Sequence, residues 1–119
     1  MVSLQRKLPG VALLVLVAVV VTGVTWPIVA GQLRLSRNGK IAHQLEELLE
    51  ARFPGIGFRG AASYEREVIY ISVVNRLADA DREGVERWLR VQQIEQQIAP
   101  DIWLRFESDD PDKEVIIRR

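Results

Sequence analysis

Hydrophobic and polar positions alternate in two regimes along this chain. From Leu8 to Leu33 no side chain is charged, and Val11–Val21 reads VALLVLVAVVV, apolar on every side of a helix rather than along one stripe. Beyond it the apolar residues recur with short periods. A helix crossing a hydrocarbon core of about 30 Å needs roughly 20 apolar residues. The pattern therefore predicts a transmembrane helix over residues 8–30, a short tail over 1–7 and a polar juxtamembrane linker over 31–40.

After the linker, Ile41, Leu45, Leu48, Leu49 and Phe53 fall at spacings of one helical stripe, with Asn38 as a candidate N-cap and Pro54-Gly55 as the stop. Two strands follow, over 56–64 and 67–74, joined at Glu65-Arg66. Ile56, Phe58, Gly60, Ala62 and Tyr64 alternate onto one face of the first. The second, EVIYISVV, is nearly continuous in apolar character, as suits a strand near a sheet centre. A second helix is expected from Asp79, whose carboxylate would cap its amides, to about Ile98. Its apolar arc of Val85, Trp88, Leu89, Val91, Ile94 and Ile98 is broader than one sheet face requires. Residues 102–107 alternate as a strand, and KEVIIRR returns as another after the turn SDDPD.

The predicted class is α+β: an N-terminal transmembrane helix, then a small α-β-β-α-β(-β) domain over 41–119. Its two helices are expected to pack on one face of an antiparallel sheet, in a ferredoxin-like or permuted arrangement. This order of elements is similar to that of ring-building domains in bacterial secretion machines and of the cytosolic domains of cation-efflux transporters. The likeness is one of topology and implies no functional residue.

The apolar run has three readings: an anchor, a cleaved signal and, weakest because so short a chain could hardly enclose it, the buried core helix of a soluble protein. Arg6 and Lys7 before it suit both a signal peptide and an anchor, but a cleavage site needs small residues at alternate positions. Val21-Thr22-Gly23 and Ile28-Val29-Ala30 each put a β-branched residue there. Pro9 fits the first turn of a helix, where its missing N–H has no intrahelical partner. Trp26 follows roughly 26 Å along the axis, at the depth of the interfacial aromatic belt. A retained signal anchor is the expectation, with Leu8, Pro9, Leu13, Leu14, Leu16, Val20 and Trp26 facing lipid. A cleaved export signal, which would leave an exported soluble binding protein, is the alternative. Arg34, Arg37 and Lys40 after the run nearly balance Arg6 and Lys7, so flanking charge orients the span weakly. A long segment following a first signal-like helix is commonly exported, so the domain is expected on the extracytoplasmic side of the cell membrane, with the cytosolic side as the alternative.

Charge excludes more than it identifies. The 119 residues hold 16 basic and 16 acidic side chains, and those after the span carry a net charge of about −2, with no electrostatic footprint for nucleic acid. Without cysteine there is no disulfide, thiolate metal site or thiol nucleophile. Gly55–Gly60, GIGFRG, matches the dinucleotide-binding spacing. It follows a helix and enters a strand, the reverse of the order that aims a helix N-terminus at a pyrophosphate, so nucleotide binding is not expected.

His43 with Glu46 and Glu47 shares a helix face, and Asp109, Asp110 and Asp112 share a turn. Neither offers a full ligand set, so no metal or other cofactor is expected. No serine stands in a nucleophile elbow. Catalysis is not expected, and the small metal-dependent activity that His43, Glu46 and Glu47 would supply is the weakest alternative. The expected role is interaction or assembly, with the bilayer and with a second copy or another membrane protein as partners. Trp88, Val91 and Ile98 are the candidate interface.

Overall fold

The computed structural model describes residues 2–107 and 114–119, with side chains from residue 12 onward. They form two compact units, Met1–Gln32 and Leu33–Arg119. The elements are α1 (Val2–Arg52), β1 (Phe58–Ala62), β2 (Val68–Val73), α2 (Asp79–Glu95), β3 (Asp101–Phe106) and β4 (Val115–Ile117).

In the first unit every described side chain from Ala12 to Val29 is exposed. The hydroxyls of Thr22 and Thr25 donate to the carbonyls of Ala18 and Val21, at 2.7 and 2.6 Å. Both polar groups are thus satisfied within the helix, as a helix in an apolar medium requires.

In the second unit residues 33–40 are helical, so the expected polar linker is absent as such. Asn38 is no N-cap. It lies in mid-helix, fully buried, and its side-chain amide donates to Glu67 in the turn before β2. Gly39 costs that helix about 1 kcal/mol against alanine, and side-chain anchors on both sides of it outweigh the local preference. α2 likewise starts differently: its N-cap is Ala78, whose carbonyl accepts from the amides of Asp81 and Arg82, and Asp79 is the first helical residue.

The sheet has strand order β1-β2-β3-β4. Its outer pairs are antiparallel, but β2 and β3 run parallel, with Ile69 opposite Ile102 and Ile71 opposite Leu104. The sheet is therefore mixed, which corrects the antiparallel expectation. Parallel neighbours need a crossover of a dozen or more residues. The 17-residue α2 supplies it, carrying the chain back over the sheet between the two strands.

One sheet face presents Phe58, Ile69, Ile71, Val73, Ile102, Leu104 and Phe106. Ala42, Leu45 and Leu49 of α1, with Val85 and Leu89 of α2, close over them in a single apolar cluster. On the other face the register aligns Ala61, Tyr70, Trp103 and Ile116 in one row across all four strands. Tyr70 and Trp103 meet edge to face, with ring centroids 5.6 Å apart. The next row carries Arg59, Ser72 and Arg105. Its arginines pair with Glu107 and Glu114 at 3.9 Å.

Candidate functional site

Lipid contact was expected of seven residues. The side chains of Leu8 and Pro9 lie outside those described. Leu13, Leu14, Leu16, Val20 and Trp26 are all exposed. By length and composition the helix can cross a membrane, and none of its most apolar stretch is buried.

The candidate interface on α2 is changed by its C-terminus. Val91 is 43% exposed and Trp88 half-buried, but Ile98 is 4% exposed and belongs to the core. Gln97 adopts φ 51°, while the amide of Gln97 bonds the carbonyl of Ile94 and that of Ile98 bonds the carbonyl of Gln93. This is a Schellman ending, and it turns Ile98 inward off the helical line. Ile94, 68% exposed, takes its place in the outward stripe. Gln93, on the core side, donates its side-chain amide to the carbonyls of Pro100 and Ile117 at 3.1 Å, tying α2 to β4. Left-handed backbone costs a residue bearing Cβ about 1 kcal/mol. Gln97→Gly is accordingly expected to raise unfolding stability by about that much in chemical denaturation. An unchanged or lower midpoint would contradict the assignment.

A polar cluster absent from the sequence reading lies where α1 passes the turn between β1 and β2. Glu67 accepts from Asn38 Nδ2 at 3.0 Å, from Arg37 Nη2 at 2.5 Å and from Arg34 Nε at 3.2 Å. Arg34 Nη1 also donates to the carbonyl of Tyr64 at 2.9 Å. The Asn38 amide is the largest influence on Glu67. Burial opposes it, Arg37 and Arg34 reinforce it, and the net effect holds the carboxyl below its ordinary value. A groove of about 500 Å³ opens beside this cluster, reaching Gln97, Ala99 and Pro100. Since both arginines are already engaged by Glu67, the cluster serves first to fasten α1 to the hairpin.

The remaining motifs resolve into structure. Gly55 has φ 86° and makes the turn after α1. The amide of Gly57 donates to Asn75 Oδ1 at 2.7 Å. At Gly60 a Cβ would stand 2.4 Å from the backbone carbonyl oxygen of Ala42, so this glycine lets α1 approach the sheet. The GIGFRG spacing is a turn and a close helix–strand contact. His43 is exposed, 3.7 Å from Glu46 and 3.1 Å from Glu47, on one helix. Among the described residues no three metal-ligating side chains converge. Asp109, Asp110 and Asp112 lie outside those described.

A second groove, of about 290 Å³, lies between the end of α1 and α2. It is lined by Arg52, Phe53, Gly84, Arg87, Trp88 and Val91. Comparison with protein-family models, characterised proteins and solved structures yields no match to this chain.

Proposed function

We propose that this chain is a single-pass membrane protein whose N-terminal helix is retained in the bilayer, and whose small α+β domain acts by assembly rather than catalysis. The observation that carries the reading is the uncharged helix surface from Ala12 to Val29, exposed on every side. Lipid covers such a surface without leaving a polar group unsatisfied. The domain stands on the extracytoplasmic side. Confinement to the bilayer plane raises its effective concentration toward membrane partners, so a modest interface suffices. The stripe of half-buried Trp88 and exposed Val91 and Ile94 on α2 is that interface, whether with a second copy or with another membrane protein.

Alkaline carbonate washing and intact-mass measurement of the mature chain test the anchor. The protein is expected in the pellet with the N-terminal apolar segment still attached. A product shortened by about thirty residues and released to the supernatant would instead establish a cleaved export signal. Because the chain has no cysteine, single cysteines introduced at Ser3 and Arg119 report sidedness by labelling with an impermeant maleimide. Labelling at position 119 alone in intact cells is expected. Trp88→Glu is expected to abolish assembly, read by in-membrane cross-linking, while leaving the domain folded. Unchanged cross-linking would remove α2 from the interface.

A further inference from the structure

We infer that the groove between the end of α1 and α2 is a docking site for an acidic, apolar segment of a partner protein, one in which Asp or Glu stands close to Leu, Ile or Phe. This deepens the assembly reading and rests on it, but not on the anchor.

Charge carries the inference. Arg34, Arg37, Arg59, Arg90, Arg105 and Arg118 each meet a carboxylate of their own chain. Lys40, Arg52, Arg66, Arg76, Arg87 and Arg119 make no ion pair among the described residues, and of these Arg52 and Arg87 border the same groove. The Arg52 guanidinium lies over the Phe53 ring, 5.4 Å from its centroid, which holds the charge at the rim. Glu83 and Glu86 line a neighbouring pocket with Arg87 but form no ion pair with it, and at the apolar opening itself the charged side chains are the two arginines.

Between the cations the floor is Phe53, Trp88 and Val91. Gly84 deepens it, since a Cβ there would come within 3.8 Å of the Phe53 ring. Aromatic anchors at the floor and arginines at the rim are the arrangement that dominates binding energy at protein interfaces. An apolar side chain can seat on the floor while a neighbouring carboxylate takes a forked hydrogen bond from either guanidinium. A basic segment would be repelled by both arginines, and a purely apolar one would leave them unmatched.

The test is selection of random short peptides against the full chain held in phosphatidylcholine nanodiscs, followed by affinity measurement with a synthetic peptide from the selected set. Enriched sequences are expected to join Asp or Glu to Leu, Ile or Phe. Affinity is expected to fall about tenfold with Arg52→Glu or Arg87→Glu, a loss of 1.4 kcal/mol. Exchanging the peptide's acid for lysine should restore binding to Arg87→Glu. Arg119→Glu, away from the groove, should leave affinity unchanged.

Enrichment of peptides without acids, or affinity indifferent to both reversals, would overturn the proposal. If no peptide is selected while the wild-type chain still cross-links in membranes, the acidic-segment site falls and the assembly reading stands. If cross-linking is lost as well, both fall.

Discussion

Gly60→Val is expected to unfold the domain or to lower its stability by about 3 kcal/mol. Gly60 lies on the helix-facing side of β1. A Cβ built there stands 2.4 Å from the carbonyl oxygen of Ala42 and 2.9 Å from its carbonyl carbon. Both are backbone atoms of α1, so no side-chain rotation relieves the contact. The helix must lift, and with it Leu45 and Leu49, which are buried against the sheet. A domain this small buries a modest fraction of its surface and has little stability to lose. Ala61→Val is the control, because Ala61 is exposed on the opposite face of the same strand, where a β-branched residue suits the sheet. Urea unfolding of the full chain in detergent reads both. Equal midpoints for Gly60→Val and wild type would refute the close approach.

Glu67→Ala is expected to cost about 1–3 kcal/mol, because it leaves the buried Asn38 amide without its acceptor. Asn38 is fully buried, whereas Arg34 and Arg37 can turn to water. Glu67→Gln should cost less, since it keeps an acceptor oxygen for Asn38 and removes only the charge. The two variants separate the hydrogen bond from the ion pairs.

Acid should act in the same direction as Glu67→Gln. The folded protein holds the Glu67 carboxyl below its ordinary value of 4.5, with Asn38 as the chief cause. Its contribution is therefore complete above pH 4.5 and is lost as the pH falls through the folded value. The stability gap between wild type and Glu67→Gln should narrow on acidification from neutral pH. A gap that widens in acid would show that the group is not held as described.

The distribution of apolar residues determined a great deal by itself. An uncharged run longer than the hydrocarbon core of a bilayer is thick, stripes at helical spacing in 41–53 and from 79 to about 98, and alternation in 56–64 and 102–107 are local properties of the chain, and the structure trims the ends of these elements. The order of helices and strands followed from them, and so did most of the core, because burial of one face imposes the period of the element on the sequence. The failures share a cause. Asn38 and Glu67 are 29 residues apart and Arg34 and Glu67 are 33 apart, so no local window joins them. Residues 31–40 looked like a linker because glycine and polar side chains disfavour a helix locally. Tertiary hydrogen bonds to Glu67 overrule that preference. Ile98 fitted the outward stripe of α2 only if the helix continued, and the left-handed Gln97 diverts it into the core.

Strand direction, too, belongs to the fold. A pattern of alternating residues is the same read along either direction, and only the length of α2 over the sheet makes β2 and β3 parallel. The sequence placed Trp88 and Val91 on an apolar arc. It took the packing of α1 beside α2 to bring Arg52 and Arg87 to one rim, because the closeness of two charges 35 positions apart is a property of the packed helices and not of the chain.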